Sequence, residues 1–203
     1  MSDASETTKG TRTPPLPDEA AVIARAATGD RTAFAQLMEH YQSACYGLAF
    51  RLLSDPDQAA DATQDAFVHA YRAIASYRGG VFRSWLLRIT ANASYDILRR
   101  AQRRPSSPLP DAEEGAPELP DLAAVNPVVE ATRSELYRHL ERALAMLPTD
   151  QRTAVVLCDV YGMDYNEVAS MTQSALGTVK SRIHRGRLRL RELLMEHREL
   201  FTG

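Results

Sequence analysis

Between Leu176 and Arg191 the chain carries six basic side chains and no acidic one. Lysine and arginine donate hydrogen bonds to DNA bases and phosphates, so these residues are suited to nucleic-acid binding. At about 100° per residue, the apolar residues of this region gather on one side of a helix. They are Leu176, Val179, Ile183, Leu190 and Leu194. Such a helix can rest on a domain and enter a DNA groove, although a solvated basic helix also fits the charge.

The residues from Tyr165 to Leu194 predict how this basic helix is held. They indicate a short helix, a tight turn containing Gln173 and Ser174, and then the basic helix, which is a helix-turn-helix arrangement. If that turn requires a positive φ, Gln173 costs free energy there, because residues with a Cβ atom disfavour this backbone region.

The rest of the chain must supply the body that positions the helix-turn-helix. Apolar residues recur at three- and four-residue steps from Asp18 to Arg104, with breaks at Gly29, Ser54–Pro56 and Tyr77–Gly80. This spacing predicts four helices, and a second helical set begins near Pro127. No alternating strand pattern occurs. We therefore predict an all-α protein with two small helical domains.

Composition predicts where these domains begin and end. Residues 1–17 are rich in Ser, Thr and Pro and predict a disordered tail. Residues 105–127 hold six prolines and five acids with no base, which predicts an extended acidic linker. The two domains are accordingly expected at residues 18–104 and 128–203.

Several classes of protein are disfavoured by what the sequence lacks. No glycine-rich phosphate loop, HExxH or CxxC occurs and the five histidines are scattered, so we expect no enzyme, catalytic residue, metal or cofactor. Cys45 and Cys158 indicate reduced thiols in a cytoplasmic protein. The sequence contains no run of roughly 18 apolar residues, so we expect no membrane insertion. The N-terminus lacks the order of a signal peptide.

Three blocks of sequence together resemble a bacterial RNA polymerase sigma factor of the extracytoplasmic function (ECF) group, in the sigma-70 family. The blocks are DPDQAADATQDAF, FRSWLLRITANASYDILRRAQRR and LPTDQRTAVVLCDVYGMDYNEVASMTQSALGTVKSRIHRGRLRLREL. The resemblance covers roughly residues 18–197. It implies a σ2-like first domain, a σ4-like second domain, and promoter-specific initiation through −35 and −10 elements.

The acidic block implies a surface for core RNA polymerase, on the β′ clamp helices. Carboxylates and an amide there could pair with basic groups of the polymerase. The candidates are Asp57, Asp61, Gln64 and Asp65. A solvated helix face is the alternative for this block alone, and Ala60 and Thr63 depart from the family pattern.

The second block implies recognition and melting of the −10 element. A base extruded from the duplex needs a polar pocket with an apolar or aromatic wall. By resemblance, Asn92 lies near that base and Arg99 and Arg100 lie near phosphates, while Phe82 and Trp85 could instead pack in the core. The candidates are Tyr77, Phe82, Trp85, Arg88, Asn92, Asp96, Arg99 and Arg100.

The third block implies recognition of the −35 element in the major groove. By resemblance, the base readers are Lys180, Ser181, His184 and Arg185, and His184 has the alternative of a surface residue without a role. The implied phosphate contacts are Thr178, Arg182 and Arg187.

The resemblance also implies partners. These are core RNA polymerase (through the β′ clamp helices and the β flap), promoter DNA and an anti-sigma factor. The linker would thread the polymerase cleft, or act as a simple tether. The alternative function is a stand-alone helix-turn-helix regulator, but the stripe from Trp85 to Arg103 is hard to explain in a sensor domain.

Overall fold

A computed structural model of the protein describes residues 16–103 and 127–195, and for residues 127–135 it describes the helix alone. The described residues form eight α-helices, a short 3-10 helix and a π-helical segment, with no strand, which confirms the predicted all-α class. The helices are α1 (Glu19–Ala27), α2 (Arg31–Leu53), α3 (Pro56–Ala73), α4 (Phe82–Arg103), α5 (Pro127–Ala145), α6 (Thr149–Val155), α7 (Tyr165–Met171) and α8 (Leu176–Met195). The predicted tail (1–17) and linker (105–127) lie outside the described residues apart from Leu16, Pro17 and Pro127, so the domain limits stay predictions.

Two aspartates fix where α2 and α3 begin. The Asp30 carboxylate accepts the backbone N–H groups of Thr32 at 2.9 Å and Ala33 at 3.0 Å. Asp55 accepts that of Gln58 at 2.9 Å, and Pro56 occupies the first turn of α3. Each cap satisfies N–H groups that have no partner inside the helix and is worth about 1 kcal/mol.

The first domain packs α1 to α4 around one apolar core. Its largest fully buried side chains are Leu37, Tyr41, Leu48, Leu52, Phe82 and Leu86. Alanines on α3 (Ala59, Ala62, Ala66 and Ala70) allow this helix to approach its neighbours closely. The Tyr41 hydroxyl donates to the Glu19 carboxylate, which ties α1 to α2. Burial raises the pKa of Tyr41.

The second domain packs α5 to α8, with a π-helical segment at Val156–Val160 that directly follows α6. Its fully buried side chains include Leu144, Leu157, Val168 and Ile183. Gly186 of α8 lies so close to α6 that a Cβ atom there would be 2.6 Å from Cγ2 of Val155. The two helices can therefore pack this closely because residue 186 is a glycine, which has no side chain.

The sequence predicts that both cysteines are reduced thiols in the core. Both are free, but the one in the second domain is only partly in the core. Cys45 is buried, whereas Cys158 is half-buried. Burial raises the pKa of each thiol to about 11, so both are protonated near neutral pH.

Arginines join the two domains. Arg51 of α2 donates to the Glu141 carboxylate of α5 at 2.7 Å and to the Tyr161 hydroxyl at 2.8 Å. Burial by itself lowers the pKa of Arg51. The interactions with Tyr161 and Glu141 outweigh the effect of burial, so the pKa of Arg51 is raised.

The second such arginine, Arg152, is buried with 6% of its surface exposed. It donates to the carbonyl of Ala145 and to that of Leu52 in the other domain, each at 3.1 Å. These carbonyls end α5 and α2, and each helix C-terminus carries about half a negative charge. The partial negative charges of two helix ends thus offset the positive charge of the Arg152 guanidinium. Burial still lowers the pKa of Arg152.

Candidate DNA-binding and polymerase-binding surfaces

The outward face of α8 presents polar and basic side chains. Lys180, His184 and Arg185 are exposed and Ser181 is half-buried, so the predicted base readers share one side of the helix. The buried seam consists of Val179, Ile183, Gly186 and Leu193. The predicted seam is not buried at Leu176, the first residue of α8, which is 38% exposed.

Hydrogen bonds within the domain orient the arginines on this helix. Arg185 donates to the Ser181 hydroxyl at 3.2 Å, which keeps both side chains on the outward face. Arg182 lies on the flank, where it donates to Asp150 at 3.0 Å and to the Ser174 hydroxyl at 2.8 Å.

Arg187 is engaged differently from its neighbours. Two of its nitrogens donate to the two carboxylate oxygens of Asp159, at 2.8 and 2.6 Å. The hydrogen bonds that Arg187 donates to Asp159 are the main reason that the pKa of Arg187 is raised. This bidentate pair ties α8 to the π-helical segment.

The turn between α7 and α8 has a left-handed backbone residue, which is the condition under which the sequence gives Gln173 an energetic cost. Gln173 has a φ of +50°. The N–H of Gln173 donates to the carbonyl of Ser170 at 3.3 Å, and the N–H of Ser174 donates to that of Ala169 at 3.0 Å. This is a Schellman helix end, in which the left-handed position favours glycine.

We expect Gln173→Gly to stabilise the second domain by about 1 kcal/mol, since glycine adopts this φ without the Cβ penalty. Thermal unfolding followed by circular dichroism measures the effect. Gln173→Ala is the matched control, because it shortens the side chain but keeps the Cβ atom. Equal stabilities for the two variants would contradict strain at this residue.

The loop before α4 is held by its own hydrogen bond and by aromatic packing. The Tyr77 hydroxyl donates to the Gly80 carbonyl at 2.8 Å. Phe82 is 1% exposed, with its ring centroid 5.5 Å from that of Tyr77 and 5.3 Å from that of Trp85. The prediction that Phe82 contacts DNA is corrected, because its ring is covered by these neighbours and supports the loop from beneath.

The remaining −10 candidates lie along one face of α4. Arg88, Asn92 and Arg100 are exposed, while Trp85, Asp96 and Arg99 are half-buried. Arg99 donates to the Asp96 carboxylate at 2.9 Å. Arg88 forms an ion pair with Glu167 of α7, a contact between the domains that sequence patterns did not indicate.

All four candidates for polymerase binding are exposed on α3, namely Asp57, Asp61, Gln64 and Asp65. They lie opposite the buried alanines of this helix. The structure explains one departure from the family pattern: Thr63 is buried, and its hydroxyl donates to the Ala59 carbonyl at 2.7 Å. Thr63 is therefore a core residue, and of the two departures only Ala60 alters the exposed face of α3.

Within residues 16–103 and 127–195, no helix is long and apolar enough to cross a membrane. The same residues contain no group of three or more His, Cys, Asp or Glu side chains placed to hold a metal ion.

Comparison with known proteins identifies the family. The family model described as Sigma-70 region 2 matches residues 37–104, and the one described as Sigma-70, region 4 matches residues 137–190. The ECF RNA polymerase sigma-E factor of Escherichia coli is 36% identical over 174 residues, which cover 82% of this chain and 88% of that protein. The chain belongs to the ECF sigma factor family. It binds RNA polymerase and directs promoter-specific initiation, so a stand-alone regulator is not favoured.

A second ECF sigma factor and two solved structures are also similar to this chain. SigE of Mycolicibacterium smegmatis is 38% identical over 174 residues, and the match covers 84% of this chain but 66% of that longer protein. The structure of CnrH in complex with the cytosolic domain of CnrY superposes with a TM-score of 0.51 at 27% identity, covering 87% of this chain and 96% of CnrH. The sigma factor RpoE in complex with the anti-sigma factor NepR, from Bartonella quintana, gives 0.52 at 29% identity, covering 80% and 96%.

Two further contacts of this sigma factor were missed from its sequence. Asp164 and Glu167 form a capping box on α7, which the spacing D-x-x-E could have indicated. The pairing of Arg51 with Glu141 could not have been found, because no pattern relates side chains 90 residues apart on different helices.

Proposed function

We propose that this chain acts as a promoter-specificity subunit through three separate surfaces, with no catalysis of its own. The observation that carries the proposal is the outward face of α8, where Lys180, Ser181, His184 and Arg185 share one exposed side of the second helix of a helix-turn-helix. A helix placed in this way enters the major groove and reads base edges there. These four side chains are the proposed −35 readers.

Phosphate contacts would position the helix without adding sequence information. We assign this role to Thr178 and to Arg182, whose guanidinium is oriented beside the turn by Asp150 and Ser174. Arg187 is assigned to anchoring α8 instead, since its bidentate pair with Asp159 joins this helix to the π-helical segment.

The proposed −10 surface is the exposed face of α4 with the loop that precedes it. Asn92 can hydrogen-bond an extruded base, and Arg99 and Arg100 can contact the phosphates on either side. Tyr77 and Trp85 supply the aromatic surface on which a base stacks, and Phe82 holds both rings in place.

The acidic face of α3 is the proposed contact with the β′ clamp helices of core polymerase, and the second domain is proposed to contact the β flap. Carboxylates that point into solvent can pair with basic groups of a partner. This function implies a cytoplasmic location. An anti-sigma factor is a proposed partner, because RpoE of Bartonella quintana binds one.

Transcription with purified core polymerase tests this function. The template is a DNA library with randomised −35 and −10 elements, and the transcripts are sequenced. We expect transcripts that depend on the chain and that select both elements, together with co-elution of chain and core. Specific duplex binding by the free chain without affinity for core would contradict the proposal.

A further inference from the structure

The exposed face of α8 carries an apolar side chain among its polar residues. Leu188 is 49% exposed. At about 100° per residue, it lies roughly 140–180° around the helix from the buried residues Val179, Ile183 and Gly186. Leu188 therefore points away from the core of the second domain, and packing within that core does not explain why this residue is apolar.

Leu188 belongs to the same face as the proposed −35 readers. It lies seven residues after Ser181, which places the two about 20° apart around the helix, and its direction falls between those of His184 and Arg185. From Lys180 to Leu188 the helix rises about 12 Å, which is comparable with the width of the major groove, about 12 Å. A helix that places the four proposed readers in the groove thus presents Leu188 on its next turn.

Charge indicates where this face stops being suited to DNA. Glu192 lies one turn beyond Leu188 on the same face, and Arg189 donates to the Glu192 carboxylate at 3.1 Å. DNA phosphates repel a carboxylate, and the pairing leaves Arg189 less able to attract them. We therefore place the end of the DNA-reading face between Leu188 and Glu192, which leaves Leu188 inside it.

The group in the major groove that suits an apolar side chain is the C5-methyl group of thymine. The other groups that distinguish the bases there are hydrogen-bond donors and acceptors, which leucine cannot satisfy. A leucine that covered one of them would leave a polar group without a partner, at a cost in free energy. Contact with a methyl group instead removes apolar surface of both partners from water, which is favourable.

We propose that Leu188 is a specificity-determining residue that reads the methyl group of one thymine in the −35 element. This inference rests on the proposed function and deepens it, because it adds a base contact to the four made by hydrogen-bonding side chains. Burial of one methyl group changes affinity roughly fourfold, so Leu188 adds a modest preference for a T·A pair at one position of the element.

Replacement of thymine by deoxyuridine tests this contact, because it removes the methyl group and keeps every hydrogen-bonding group of the base. The full chain and core polymerase, at limiting concentration, initiate on templates in which each thymine of the selected −35 element is replaced in turn, on either strand. We expect one replacement to lower initiation by the wild-type chain roughly fourfold. Leu188→Ala should lower initiation on the unmodified template by a similar factor and show no further loss at that position.

Two variants serve as controls. Leu188→Met keeps an apolar side chain and should keep the sensitivity to deoxyuridine. Met195→Ala removes a side chain that is 50% exposed on the same face beyond Glu192, and it should initiate as the wild-type chain does. Leu188→Ala should unfold at the same temperature as the wild-type chain or slightly above it, because Leu188 is exposed and alanine favours the helix.

Two results would overturn the role of Leu188. One is a selected −35 element without thymine, and the other is a deoxyuridine effect of equal size, or none, in the wild-type chain and Leu188→Ala at every position. An equal loss of initiation by Leu188→Ala on both templates, with weaker core binding, would show that Leu188 contacts polymerase instead. Arg185→Ala separates this inference from the proposed function: if it loses −35 dependence while Leu188→Ala behaves as the wild-type chain does, α8 reads the element without Leu188.

Discussion

Gly186→Ala is expected to destabilise the second domain by about 1–2 kcal/mol. The new Cβ atom would lie 2.6 Å from Cγ2 of Val155 and 3.3 Å from the carbonyl oxygen of Gln151. Overpacking of this kind costs about 1–3 kcal/mol, whereas the gain in helix propensity from glycine to alanine is only about 1 kcal/mol. Since Val155 is buried and β-branched, it cannot turn away, and the clash outweighs the gain.

Gly177 provides the matched control, because it lies in the same helix with open space where a Cβ atom would be. Gly177→Ala should leave stability unchanged or raise it by up to about 1 kcal/mol. Thermal unfolding followed by circular dichroism compares the two, and shifts of opposite sign are expected. Val155→Ala should rescue Gly186→Ala, so that the double variant is more stable than the sum of the single effects predicts. Destabilisation of equal size by both glycine variants would contradict the close contact between α6 and α8.

Much of this fold could be predicted because its signals are local. Asp55 and Pro56 mark the start of α3, because helix capping involves residues within one turn of each other. The three- and four-residue spacing of apolar residues in α4 indicates which side of that helix is buried. The position of the turn at Gln173 was predicted in the same way, whereas its positive φ was left open and comes from the structure.

Other features depend on contacts between distant residues. The sequence placed Gly186 within a basic run and gave no sign that it lies against Val155, because a missing side chain carries no periodic signal. Likewise, Arg187 and Arg185 look equivalent in the sequence. They differ only because Asp159, 28 residues away, reaches one and not the other.

That difference predicts a functional contrast between Arg185 and Arg187. Loss of a bidentate arginine–guanine contact costs about 1–3 kcal/mol, so we expect Arg185→Ala to lower −35-dependent transcription by roughly 5- to 150-fold. Arg187→Ala removes an exposed ion pair worth about 1 kcal/mol or less, which should lower thermal stability slightly and transcription less than fivefold. Initiation from matched templates with and without the −35 element measures the effects.

Arg185→Lys separates charge from geometry at the same residue. Lysine keeps the positive charge but lacks the planar fork, so we expect the variant to retain the salt dependence of DNA binding while losing most of its preference for the −35 sequence. Core binding should stay unchanged in all three variants, because neither arginine belongs to the acidic surface of α3 that is proposed to contact the clamp helices. A loss of core binding that parallels the loss of transcription in Arg185→Ala would contradict the groove assignment. An equally large, sequence-independent loss in Arg187→Ala would show instead that this arginine leaves Asp159 to bind a phosphate.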